Sequence, residues 1–240
     1  MITVKDVCGY LEGIAPLELA EPWDNVGLQV GRESQIVTRL LVCLDITDEI
    51  ICEAESKKCQ MIVAHHPLFF GNVSGVTDGT LVGRLALRAI EGGLAIYGAH
   101  TNLDKAPGGI SDALADHLGL INVSVLQAHG ITDLSHDVHS LEDHHDKEAG
   151  LGRLGDLKEE VGLDDFLKVC QAQISQNIRF AGSKKTVKRI AVCGGSGASL
   201  IEAAGKVGAD IMVTGDVKYH DVLRALDLGL VVVDAGHDST

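Results

Sequence analysis

Two adjacent histidines, His65 and His66, follow the apolar run Met61–Ala64 and precede Pro67. Neighbouring side chains of a regular strand point to opposite faces, so two such rings cannot serve one site while the strand stays extended. At a strand end turned by Pro67 they can diverge toward two ions, and imidazole suits divalent transition metals. Asp104 also follows an apolar run and is the natural bridge, since one carboxylate can be shared by two ions. His100, His220 and His237 stand just past further apolar runs. Core filling does not explain so many imidazoles and a carboxylate in such places, so the pattern predicts a metal site. Lys218, in Gly215-Asp-Val-Lys-Tyr-His220, reads either as a holder of substrate phosphate or as a plain surface lysine. His220 reads as an acid/base or as a group behind the metal ligands.

Other motifs carry less. Gly194-Gly-Ser-Gly197 could cradle phosphate with backbone N–H groups. It lacks the Lys-Ser/Thr of a P-loop and the full dinucleotide fingerprint, and a tight βα turn is the preferred reading. Pro22-Trp-Asp-Asn25-Val-Gly27 reads as a loop with a turn, its single Trp a core plug in preference to a surface anchor. His129, His136, His139, His144 and His145 lie among many acids with no apolar period, which reads as a polar linker in preference to a metal store.

The elements that must position these residues are short apolar strands alternating with helices. Leu40–Leu44, Met61–Ala64 and Leu94–Tyr97 read as strands, with helices over Thr47–Lys58, Thr80–Glu91 and 108–119. Arg189–Cys193, Asp210–Thr214 and Leu230–Asp234 repeat the theme with helices between them. A shift of 150 positions lays Val42-Cys43 on Val192-Cys193, Ala54 on Ala204 and Val63 on Val213, which points to an internal duplication. The expected architecture is two three-layer α/β lobes: residues 1–125 with His65, His66 and Asp104, a polar His- and acid-rich loop at 126–150, and residues 151–240 with His220 and His237. Open α/β sheets place ligands at the carboxyl ends of their strands, so a cleft between the lobes is the expected home of a dinuclear metal site.

Composition bounds the partners. The chain has 240 residues, a formal charge of −14 and only 3% aromatics. A broad nucleic-acid face is excluded, because it needs many Lys and Arg contacts to phosphate. No apolar run approaches the ~18 residues of a membrane span, no signal segment opens the sequence, and Thr3 with Asp6 reads as a helix start, so the expected location is cytoplasmic. The six cysteines contain no Cys-x-x-Cys pair and read as buried small hydrophobes.

The motifs from Pro22-Trp-Asp-Asn-Val-Gly-Leu-Gln-Val-Gly31 through His65-His66-Pro67-Leu68, His100-Thr-Asn-Leu-Asp104, Gly150-Leu-Gly-Arg-Leu-Gly155 and Gly194-Gly-Ser-Gly197 to Gly215-Asp-Val-Lys-Tyr-His220 and Asp234-Ala-Gly-His237 resemble the GTP cyclohydrolase I type 2, or Nif-three-like, family. The resemblance covers nearly the whole chain. It implies two divalent metal ions per chain (Zn, Fe, Mn, Ni or Mg) on His65, His66, Asp104 and His237, and a homo-oligomer in the form of a hexameric ring. The family's further ligand is a Glu four residues after the last His, a position one beyond Thr240. The implied activity is opening of the purine ring of a nucleotide, GTP being the candidate, by metal-activated water. His100 and His220 would then move protons, and Lys218 would hold the triphosphate. Two alternatives stay open: a two-metal phosphoesterase or nucleotidase acting on a phosphorylated small molecule, and a non-enzymatic metal-binding adaptor.

Overall fold

The computed structural model describes residues 1–128 and 148–240, so the five histidines between Ala128 and Gly150 lie outside the described residues. Two compact units are present, Met1–Leu103 and Asp104–Thr240. In chain order the first contains α1 (Val4–Ile14), β1 (Gly27–Val30), β2 (Leu40–Cys43), α2 (Asp48–Ser56), β3 (Met61–Ala64), α3 (Leu81–Glu91) and β4 (Ala95–Gly98). A short helix, α4 (Thr101–Lys105), runs across the boundary. The second contains α5 (Ile110–His117), β5 (Ile121–Ala128), β6 (Gly150–Gly162), α6 (Leu163–Gln173), β7 (Arg179–Ala181), β8 (Thr186–Ser196), α7 (Ile201–Lys206), β9 (Ile211–Gly215), α8 (Tyr219–Asp227) and β10 (Val231–Asp234). The division falls ahead of residue 125 because Leu114, Ala115 and Leu118 of α5 pack into the second core, against Phe166, Ile190 and Val192.

The helix starts follow from local chemistry. Thr3 caps α1 and Asp6 returns a hydrogen bond to the Thr3 amide at 2.8 Å, which closes a capping box. Thr47 and Thr80 cap α2 and α3 in the same way, each accepting from an amide three residues on.

Each unit is a sheet covered on both faces. In the first, the strand order is β1-β4-β3-β2, with β2, β3 and β4 parallel and β1 antiparallel at the edge. Ile62 and Ile96 face Ile51, Ala54, Leu85 and Ala89 of α2 and α3. Their neighbours Met61, Val63, Ala95 and Tyr97 face Val4 and Cys8 of α1, as the two-residue period of a strand requires. In the second unit the order is β5-β6-β8-β9-β10-β7. Ile190, Val192, Ile211 and Val213 lie under α5 and α6, while Ala191, Met212 and Val232 lie under α7 and α8.

The duplication is visible in the backbone. Leu40 pairs with Met61 and Ile190 with Ile211, two registers separated by the same 150 positions. Gln60 Oε1 accepts the amides of Thr38 and Arg39, and Asp210 Oδ2 accepts those of Lys188 and Arg189. An antiparallel strand flanks the last parallel strand in both units, β1 beside β4 and β7 beside β10. The second unit adds the long β5–β6 pair, where Arg153 is buried and held by both oxygens of Asp112 at 2.9 and 2.7 Å.

Two sequence expectations change. Trp23 is 60% exposed and is no core plug. Cys52 is exposed, with its sulfur 3.0 Å from the Arg88 guanidinium, although Cys8, Cys59, Cys170 and Cys193 are buried as expected.

Candidate metal centre

His65 and His66 leave the end of β3 while their amides still bond to the Cys43 and Leu44 carbonyls, so the backbone that presents them is fixed by the sheet. Pro67 turns the chain and packs over Gly98, where an added Cβ would meet it at 3.3 Å. Gln29 of β1 holds the next residues: its Oε1 accepts the Leu68 amide at 2.7 Å and its Nε2 donates to the Asn25 carbonyl at 2.8 Å. His100 follows β4, and its amide donates to the buried Asn102, whose own Nδ2 donates to the Ala15 carbonyl.

The three rings converge. One ligand atom from each of His65, His66 and His100 lies within 4.8 Å of the others, and the His65 and His66 centroids are 5.1 Å apart. Each ring is oriented through Nδ1. His65 Nδ1 donates to the Ala99 carbonyl at 2.8 Å, His66 Nδ1 pairs with Asp45 at 2.7 Å, and His100 Nδ1 pairs with Asp24 at 2.9 Å. A carbonyl can only accept, so the neutral His65 ring carries its lone pair on Nε2. This is the arrangement by which outer-shell acceptors orient metal-binding imidazoles. Asp24 accepts three donors on one oxygen, from His100 Nδ1, the Thr101 amide and Thr101 Oγ1. Burial alone would raise its pKa, but the hydrogen bonds from His100 and Thr101 outweigh that and hold it at about 2.

In the second unit, His237 Nδ1 pairs with Asp216 at 2.8 Å, the same carboxylate–imidazole device. The ring lies over Gly195, where an added Cβ would meet it at 3.4 Å, and Gly215 leaves room for the Gly236–His237 backbone. The Gly194–Gly197 stretch thus serves close packing at the end of β8; Gly195 donates its amide to Thr240 Oγ1 at 3.0 Å. Asp104 is half-buried at the end of α4, near enough to Cys193 to help burial push that thiol up to about 12. Lys218 and His220 are exposed at the start of α8, where the Lys218 amide donates to Asp221.

The structure therefore gathers His65, His66 and His100 in the first unit and anchors His237 in the second. Sequence reasoning passes over Asp24, Asp45, Asp216 and Gln29, which hold these groups. The available signal for Asp24 is its place in Glu21-Pro22-Trp23-Asp24, a turn with proline second and an Asp24 amide bonded back to Glu21.

The sequence and the fold are similar to those of known proteins. A "GTP cyclohydrolase 1 type 2 homolog" from Clostridium perfringens is 35% identical over 98% of this chain and 85% of its own length. A protein of the same description from Clostridium acetobutylicum is 36% identical over all of this chain and 85% of its own length. The crystal structure of a Bacillus cereus protein related to NIF3 superposes with a TM-score of 0.86 at 27% identity, covering 98% of this chain and 88% of that one. Reduced HcgD from Methanocaldococcus jannaschii superposes at 0.81 with 31% identity, covering 99% and 88%. The family model described as Duf34/NIF3 (NGG1p interacting factor 3) matches residues 2–240, and the chain belongs to that family.

Proposed function

We propose that this protein is a divalent-metal-dependent hydrolase that opens the purine ring of a nucleotide, as the description of its relatives suggests. The observation that carries the metal half is the trio of histidines whose Nδ1 atoms are all committed to oxygen acceptors. The proposed ligands are His65, His66, Asp104 and His237, for two ions. A neutral imidazole and carboxylate set fits Zn, Fe, Mn or Ni. When bound, such ions supply the Lewis acidity that brings water toward ionisation near neutral pH.

The remaining roles fall to the chain itself. Asp24, ionised and buried, holds the His100 ring by Nδ1 and leaves proton exchange to Nε2. His220 is the proposed second proton carrier, and Lys218 offers a point charge to the substrate phosphates. Among the described residues no helix is long and apolar enough to cross a membrane. Assembly as a hexameric ring belongs to the same proposal, and light scattering tests it.

The decisive experiment incubates metal-loaded protein with a panel of nucleotides and follows formate and phosphate together. Formate release from GTP is the expected result. Phosphate release without formate identifies a phosphoesterase instead, and release of neither across the panel overturns the hydrolase reading.

A further inference from the structure

The chain has one tryptophan and four phenylalanines, and two of these five side chains stand exposed around a single histidine. Trp23 is 60% exposed and Phe70 61% exposed. The Trp23 ring lies 6.1 Å from the His100 centroid with its plane at 73°, and the Phe70 ring lies 5.6 Å away at 83°. Pro22 and Trp23 occupy the two central positions of the turn from Glu21 to Asp24, so the turn that aims Asp24 inward at His100 also lifts Trp23 outward. Phe70 follows the segment that Gln29 and Asn25 clamp: Asn25 Nδ2 donates to the Phe69 carbonyl at 3.0 Å. Both aromatic rings are therefore presented from well-anchored backbone.

Trp23 and Asp24 also line a cavity of about 520 Å³ together with Asn25, Gln29, Phe69 and Asn72. That volume is within the roughly 300–1,000 Å³ of small-molecule sites. Its wall combines an aromatic face with amide-bearing side chains and backbone, the chemistry that stacks a planar ring and reads its polar edge. An acidic chain gains from such a seat, because stacking attracts a ligand without regard to its charge.

We infer that Trp23 and the cavity beside it seat the planar heterocycle of the substrate, a purine-like base, with Phe70 closing the other approach to His100. The inference rests on the proposed nucleotide chemistry and gives it a location: the ring is held against Trp23, whose own ring lies 6.1 Å from that of His100.

The lone tryptophan is its own reporter. Protein loaded with metal is titrated with guanosine, GMP and ribose 5-phosphate, following Trp23 fluorescence and, by calorimetry, affinity. Guanosine and GMP should quench the emission saturably, and ribose 5-phosphate should not. Trp23→Ala should weaken GMP binding on the order of ten- to a hundredfold, the range expected when one base loses one aromatic partner. Trp23→Phe should stay within about threefold of the parent, because a ring remains to stack on. Ribose 5-phosphate should bind Trp23→Ala and the parent equally. GMP binding that is unchanged in Trp23→Ala overturns the inference and leaves the nucleotide reading standing. Equal losses for GMP and ribose 5-phosphate overturn it as well, since they mean general damage to the site. Failure of the parent to bind either guanosine or GMP overturns both the inference and the nucleotide reading.

Discussion

At the residue scale, the decisive fact is which nitrogen of each imidazole is occupied. His100 is the residue on which two roles meet, because its ligand atom lies within the same 4.8 Å group as those of His65 and His66. Its partner is an ionised carboxylate with no exposed side-chain surface, whereas His65 rests on a neutral carbonyl. His66 and His237 also have carboxylate partners, so the partner alone does not divide the roles; His100 is assigned to proton transfer because it stands outside the proposed ligand set. His100→Ala should therefore retain the parent's metal content and lose about 10²- to 10⁴-fold in turnover, the usual contribution of a general acid or base. Metal analysis showing one ion fewer per chain would make His100 a ligand instead. The histidines were legible because imidazoles at strand ends stand out. Asp24, Asp45 and Asp216 were not, since acidic residues abound in a chain with 34 of them and only the folded geometry picks out those that face a ring.

At the element scale, the parallel strands β3, β4, β8, β9 and β10 were readable because strands covered on both faces are continuous apolar runs. β6 was not: Gly150-Leu-Gly-Arg-Leu-Gly155 breaks any apolar period, and its buried Arg153 is satisfied by Asp112 and by the Ala106, Gly150 and Gly152 carbonyls. α6 did carry a usable signal in Leu163, Phe166, Leu167 and Cys170, the spacing of a helix face, and those four residues are the buried ones. The duplicated junctions before β3 and before β9 allow a prediction. Gln60 and Asp210 receive equivalent amides, but Asp210 also pairs with Lys184 at 2.6 Å. Burial would raise the Asp210 pKa, but Lys184 and the two amides lower it on balance. A folded value below the unfolded one contributes stability that is full above about pH 4 and is lost as the carboxylate protonates at lower pH. Asp210→Asn should cost about 1–2 kcal/mol at pH 7 and flatten the acid limb of a urea-unfolding series. Parent and variant losing stability in parallel from pH 5 downward would refute this assignment. Gln60→Glu is the informative converse, since the first unit uses an uncharged side chain at the same place.

At the scale of the whole molecule, the two halves have the same plan: a helix, an antiparallel edge strand, then three parallel strands joined by two helices. Their shared register explains why a shift of 150 positions was visible in a single sequence, and it sets His65 and His66 against Gly215 and Asp216. The halves have diverged in what they present. The first gathers His65, His66 and His100, and the second presents His237 with Gly195 and Gly215 packed around it. The proposed ligand set takes residues from both units, so metal affinity should respond to each and the responses should be coupled. Saturating metal at about a hundredfold over its dissociation constant should add about 2.7 kcal/mol to stability, or roughly 5–10 °C in melting temperature for a chain of this size. His65→Ala and His237→Ala should each reduce that rise. In a double-mutant cycle on metal affinity, ligands of a common centre should show a coupling of about 0.5–3 kcal/mol, because the second substitution acts on a centre already weakened. Losses that add to within about 0.5 kcal/mol would mean that the two histidines serve independent ions, and the four-residue set would have to be divided.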